Sequence, residues 1–223
     1  IITEDGQIHG WIGGGCTRGI VLKEALLAMQ ERKPRMVAIT PDTKSVISEN
    51  TKIYSMTCQS GGEIEVYIEP VLPKPHIIIF GNSHIGMALC KVAKSMDYKV
   101  DVVMVSADAN VFPEADSVLS LAGIDESLIQ DNTFIVVCTQ GEGDADAMFK
   151  ALSFDINYIS FVASRKKANA IFSDLRSMKV PMDKLKMIKT PAGIDIGAKL
   201  PEEVAVSILA QIIREFRVVS EAQ

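Results

Sequence analysis

Two cysteines sit where the chain is richest in glycine, and a thiol in such a place is a candidate for chemistry. Cys16 lies in Gly13-Gly14-Gly15-Cys16-Thr17-Arg18-Gly19, and Cys58 lies in Cys58-Gln59-Ser60-Gly61-Gly62. Glycine lets backbone approach a ligand closely and adopt positive φ. Gly14, Gly15, Gly61 and Gly62 therefore join the cysteines as candidate binding residues. Cys16 opens a stretch, Ile20 to Glu31, that reads as a helix with Val21, Leu22, Ala25, Leu26 and Met29 on one face. Helix N-terminal N–H groups and the neighbouring Arg18 favour the thiolate. The plainer alternative is a tight turn holding a small buried cysteine. A zinc site from Cys16, Cys58 and His9 has no support from spacing. Cys90 falls within a helical stretch and Cys138 at a buried strand, so both read as core.

A second constellation is Gly81-Asn82-Ser83-His84-Ile85-Gly86, which follows an apolar strand and opens a helix. It is G-x-S-x-x-G rather than G-x-G-x-x-G. The first glycine permits a tight turn and the last permits close helix–strand packing. Ser83 occupies the position where backbone meets a pyrophosphate, and adds a hydroxyl donor there. A phosphate at this helix N-terminus is the expected ligand. Gly81, Ser83, His84 and Gly86 are the candidate residues for it. The acid that usually reads a ribose after the second strand is replaced by Ser106, and Asp108 is not assigned that role. NAD or NADP binding and an empty or repurposed crevice both stay open. Further loops follow later strands at the same expected edge. They include Ser164-Arg165-Lys166-Lys167, where Arg165 could meet an anion, and Pro191-Ala192-Gly193-Ile194-Asp195-Ile196-Gly197-Ala198.

The elements that must position these residues fall into two groups. Residues 1–72 read as a small α+β domain. It has a hairpin turn at Asp5-Gly6, the helix after Cys16, a strand from Arg35 to Thr40, and a half-exposed strand at Glu63 to Glu69. Pro70-Val71-Leu72-Pro73-Lys74-Pro75 is a stiff linker and the domain boundary. Residues 73–223 then alternate apolar strands with helices. The strands are Ile77 to Phe80, Val100 to Val105, Phe134 to Cys138 and Tyr158 to Val162, with a short one over Leu185 to Ile188. The last helix opens at Pro201, with Glu202 and Glu203 in its first turn. The fold class is α/β: a Rossmann-like, doubly wound parallel sheet behind a smaller α+β domain.

Composition narrows the function. The chain has 223 residues, 48% of them hydrophobic, which suits a sizeable core. Its net charge of −5 and the lack of a long basic run speak against nucleic acid as the main partner. No apolar run approaches membrane-spanning length, so no membrane span is expected. Four sparse cysteines suggest a reducing compartment, and a cytoplasmic location is the expectation. The chain opens on Ile1 inside an apparent strand, so some N-terminal sequence is expected to be missing.

Taken in order, these segments resemble the XdhC/CoxI family, accessory proteins for xanthine dehydrogenase, carbon monoxide dehydrogenase and related molybdenum hydroxylases. The resemblance rests on Gly13-Gly14-Gly15-Cys16, on the run from Ser60 to Pro70, and on Phe80 to Gly86. It continues through Phe112 to Asp116, Val162 to Lys167, Pro191 to Ala198 and Pro201 to Leu209. It implies a protein that binds molybdenum cofactor (molybdopterin), protects it while a terminal sulfur is installed, and passes it to an apo-hydroxylase. Such a protein is an accessory or chaperone rather than an enzyme. Cys16 matches the family's GGC cysteine. The second family cysteine often stands directly before Gly-Gly, where this chain has Ser60, with Cys58 two residues earlier. Soft thiolates suit a sulfur-rich metal centre, so Cys16 and Cys58 are the expected metal-facing pair, in a crevice between the domains. Gly81 to Gly86 or Arg165 would lie near an anionic end of the cofactor. The partners implied are the hydroxylase and a cysteine desulfurase. A homodimer is expected because the incomplete first domain needs a partner surface. The competing expectations are an NAD(P)-dependent oxidoreductase and a nucleotide-sensing module.

Overall fold

A computed structural model describes residues 1–42, 50–56, 62–139, 141 and 143–222, with side chains as far as 217. The chain divides into two compact units, one of Ile1–Leu72 with Val218–Gln223 and the other of Pro73–Arg217.

In the first unit, helix α1 (Gly15–Glu31) packs on a three-stranded sheet of β1 (Arg35–Thr40), β2 (Thr51–Ser55) and β3 (Ile64–Ile68). The strand order is β2-β1-β3, with β1 parallel to β2 and antiparallel to β3. Val21, Val37 and Ile39 form its small core. β3 alternates half-buried and exposed residues, as its polar–apolar sequence demands. The Asp5-Gly6 turn forms, with Gly6 at φ +80°, but the hairpin around it shrinks to a single bridge between Ile2 and Ile8.

Helix α1 begins five residues before Ile20, the start expected from its apolar spacing. Its buried face is Thr17, Val21, Glu24, Ala25 and Ala28, whereas Leu26 is exposed. Glu24 moves the face, because its carboxylate accepts from Tyr54 Oη on β2 and pairs with Arg35 on β1. Burial alone would raise the Glu24 pKa. The Tyr54 hydrogen bond and the Arg35 interactions outweigh burial and lower it. A paired buried carboxylate thus fixes α1 to the sheet.

The second unit holds six parallel strands: β4 (His76–Phe80), β5 (Lys99–Met104), β6 (Ser117–Ser120), β7 (Thr133–Val137), β8 (Ile159–Phe161) and β9 (Ile188–Lys189). Their order is β6-β5-β4-β7-β8-β9. Counted within the unit this is 3-2-1-4-5-6, the doubly wound dinucleotide-binding order, with its switch point between β4 and β7. The helices are α2 (His84–Ser95), α3 (Asp144–Ala151), α4 (Arg165–Ser177), α5 (Met182–Met187) and α6 (Pro201–Ala222). Strand side chains alternate between the two faces. Ile77 and Ile79 join a core with Leu89 of α2 and Ile208 of α6. Ile78 and Phe80 join another with Met148 of α3 and Leu175 of α4. Cys90 and Cys138 are buried in the first of these cores, and burial raises both thiols to about 11.

Two local expectations change. Leu185 and Met187 belong to α5, so the strand there is only Ile188–Lys189. β6 has no counterpart among the expected strands, because its four residues include only two apolar ones, Val118 and Leu119. Among the described residues, no helix is long and apolar enough to cross a membrane.

Candidate functional site

Each unit contributes its own chemistry. In the first, Gly14 is the N-cap of α1, and Arg18 N–H donates to its carbonyl at 3.0 Å. Cys16 and Arg18 therefore lie inside the first turn, both exposed. Gly13 adopts φ +103°, which favours glycine. Gly14 and Gly15 show no such need, and a Cβ added at either would meet nothing within 4 Å. Packing among the described residues does not require these two glycines. Gly62 is likewise exposed, with nothing among the described residues within 4 Å of its would-be Cβ. Cys58 and Gly61 lie outside the described residues. Among the described residues, no three His, Cys, Asp or Glu side chains group to hold a metal ion.

In the second unit, the carboxyl ends of the strands build a crevice. Gly81 takes φ +108°, and its N–H donates to Val103 O at 2.8 Å. A Cβ there would stand 2.8 Å from the Thr139 backbone, so only glycine lets the ends of β4 and β7 meet this closely. A Cβ on Gly86 would stand 2.8 Å from Cys138 Sγ, which is close helix–strand packing. Ser83 does not offer its hydroxyl to the crevice. It is buried as the N-cap of α2, accepts from Gly86 N–H at 3.1 Å, and hydrogen-bonds Cys138. The turn can therefore present only backbone N–H groups, Asn82 and the exposed His84 to an anion.

A cavity of about 910 Å³ opens beside this turn. Gly81 and Asn82 line one end, residues 104–106 and 120–122 the next two walls, and Thr139, Gly143 and Asp146 the last. Its size suits a nucleotide-sized ligand. Ser106 stands at the end of β5 where a ribose-reading acid would sit. Asp108 does not replace that acid, since its Oδ1 accepts from the Asn110 backbone and side chain, both at 2.9 Å.

Arg165 and Asp195 do not line the cavity among its described residues. Arg165 is exposed in the first turn of α4. Asp195 is exposed and accepts from Gly197 N–H at 3.2 Å, shaping its own loop. That loop is pinned from below: Gly193 N–H donates to Gln211 Oε1 at 2.9 Å, and Tyr158 Oη donates to the same oxygen at 2.8 Å.

Sequence reading missed an ion pair on this edge. Lys167 Nζ lies 2.7 Å from Asp144 Oδ2, and the Thr139 hydroxyl donates to Asp144 Oδ1. Asp144 is buried at the start of α3, and Lys167 is in the first turn of α4. Two polar residues at the starts of separate helices give no sequence signal for such pairing. The walls at 120–122 were missed along with β6. Here a signal existed, because a doubly wound sheet needs a third strand before the long apolar run at β7.

Comparison with known proteins places these features among relatives. The model of the XdhC Rossmann domain matches residues 77–212, and that of the XdhC and CoxI family matches residues 1–40. Protein YqeB of Escherichia coli (strain K12) is 27% identical over 221 residues, covering 96% of this chain and 39% of its own length. A probable subunit of the xanthine dehydrogenase of Bacillus subtilis (strain 168) is 25% identical over 158 residues, covering 67% of this chain and 45% of its own. The crystal structure of a xanthine dehydrogenase from Bacillus halodurans superposes with a TM-score of 0.55 at 23% identity, over 75% of this chain and 51% of that one, a likeness of fold. The chain thus spans about two fifths to one half of the length of these relatives.

Proposed function

The chain belongs to the XdhC family, and from that premise we propose that it is an accessory protein in the maturation of a xanthine dehydrogenase-type molybdenum hydroxylase. It would hold molybdenum cofactor and pass it to the apo-enzyme, without turning over a substrate of its own. The Bacillus subtilis relative, named as a probable component of such a dehydrogenase, supports the link to that hydroxylase class.

The observation that carries the reading is the Cys16 turn. An exposed cysteine stands in the first turn of α1 behind two glycines that packing among the described residues does not require. The described residues offer no three-ligand cluster for a bare ion. This donor set fits a metal that arrives with its own ligands and asks the protein for only one or two soft donors. Molybdenum cofactor is such a group, supplying a metal held by its own dithiolene together with an anionic phosphate. Cys16 supplies the first soft donor, from the N-terminal turn of α1, and Cys58 is the proposed second thiol.

The second unit adds a nucleoside phosphate site in the crevice beside Gly81. A dehydrogenase reading is less well supported. Asp146 is the one ionisable side chain among the described residues that line the cavity, and no carboxylate stands at position 106.

The test is molybdenum and pterin content after purification from a cofactor-producing host, with released nucleotide assayed in parallel. Near-stoichiometric pterin, lost at least tenfold in Cys16→Ala while nucleotide is retained, is the expected result. Pterin retained at wild-type level in that variant would sink the Cys16 assignment, and nucleotide without any pterin would favour a nucleotide-sensing module.

A further inference from the structure

The second unit of this fold is built from two mononucleotide-binding halves, β4 to β6 and β7 to β9, and a dinucleotide lies across both. The two halves differ here. The 910 Å³ cavity draws most of its walls from the ends of β4, β5 and β6, and the described residues of the second half reach it only through Thr139 after β7 and the start of α3. No described residue of β8, β9 or α4 lines it.

Over the second half the chain places its own side chains. Lys167 Nζ reaches Asp144 Oδ2 at 2.7 Å and the Thr139 carbonyl at 3.5 Å. It also lies 5.6 Å from the ring centroid of Phe161, the last residue of β8. Asp144 is 3% exposed, and its other oxygen accepts the Thr139 hydroxyl. The pair therefore bridges the end of β7 to the end of β8, where a second nucleoside would have to sit. Its charges are spent on each other, so it offers little net attraction to a second phosphate.

We propose that the crevice takes a single nucleoside 5′-phosphate rather than a dinucleotide, because the Lys167–Asp144 pair occupies the second half-site. The proposal rests on the nucleotide reading of the crevice given above. The phosphate meets the backbone N–H groups of the Gly81 turn, and the nucleoside lies along residues 104–106 and 120–122. A second nucleoside gains no contacts and projects into solvent.

The experiment is calorimetric titration of the full chain with ADP and with NAD, which share one nucleoside diphosphate half. The expected result is that NAD binds no more than threefold tighter than ADP. In a Lys167→Ala/Asp144→Asn double variant, which leaves no unpaired buried charge, ADP affinity stays within threefold while NAD gains at least fivefold on ADP. NAD binding tenfold or more tighter than ADP to the wild-type chain would overturn the proposal, as would an unchanged ratio in the double variant. Absence of binding by either nucleotide at millimolar concentration would instead remove the nucleotide reading itself. Circular dichroism of the double variant checks that it is folded before the comparison is made.

Discussion

The two ends of the six-stranded sheet use polar groups in opposite ways. At the amino ends of the strands, four neighbouring strands close a network. His76 Nε2 lies 2.8 Å from Asp101 Oδ2, Ser117 Oγ donates to Asp101 Oδ1 at 2.7 Å, and Thr133 Oγ1 lies 3.3 Å from His76 Nδ1. His76 and Asp101 are each 1% exposed. At the carboxyl ends, the first half of the sheet keeps polar groups out of such networks. Gly81 brings bare backbone to the rim, Ser106 is exposed, and Val105 is 80% exposed beside the cavity. A satisfied buried network specifies register and rigidity, whereas a crevice must leave its donors for something else. The contrast separates stability from binding along a single sheet, about five residues from end to end.

Breaking the amino-end network should have the largest effect. His76→Ala takes from the buried Asp101 carboxylate its closest partner on Oδ2 and leaves it Ser117 and Lys99, a change that costs about 3 kcal/mol. Urea unfolding should show that loss, while ADP affinity at a temperature where the variant is folded stays within twofold. A parallel loss of affinity would show that the two ends are not separable.

Acid sharpens the same comparison. Burial pushes Asp101 up, but hydrogen bonds from His76 and Ser117, with the charges of His76 and Lys99, bring it down to about 2 from 3.8. The unfolded chain then holds this proton more tightly than the folded one. The contribution is present above about pH 4 and is lost as pH falls through about 2, amounting to about 2 kcal/mol. The difference between wild-type and Asp101→Asn stability curves should therefore shrink over that window, and a flat difference would reject the network as its source.

At the carboxyl end, Gly81→Ala puts a Cβ against the Thr139 backbone at φ +108°. It should cost about 1–3 kcal/mol and, unlike His76→Ala, should also weaken ADP at least fivefold in the same titration.

The two ends were also unequally legible in the sequence. β4, β5 and β7 announce themselves because parallel strands covered on both faces carry near-continuous apolar runs, even where Asp101 interrupts β5. The glycines at 81 and 86 are equally readable, since their roles follow from backbone sterics alone. The direction of Ser83 was not readable: a serine before a helix can cap it or face a ligand, and only packing against Cys138 decides. Helix α1 starts earlier than its apolar spacing indicates because the buried residue of its first turn is the polar Thr17. The His76–Asp101 and Lys167–Asp144 pairs join residues far apart in the chain, and only the strand order brings them together. Cys16 was legible as a cysteine in a bare turn at the opening of a helix, and only the helix's start at Gly15 rather than Ile20 was not.

The smallest expected effect is the most specific one. Ser106→Asp restores a carboxylate at the end of β5, where doubly wound dinucleotide-binding sheets read the ribose hydroxyls. Position 106 is exposed and lines the cavity, so the change should alter stability by less than about 0.5 kcal/mol. Among the described residues that line the cavity at this strand end, none is charged. ADP and its 2′-phosphorylated counterpart should therefore bind within about threefold of each other. In the variant, the carboxylate can accept from a 2′-hydroxyl and repels a 2′-phosphate. Discrimination should rise by about tenfold, or about 1.4 kcal/mol, and should weaken as salt is added. Strong discrimination already present in the wild-type chain would mean that another group reads the ribose, and would move the nucleoside away from the end of β5.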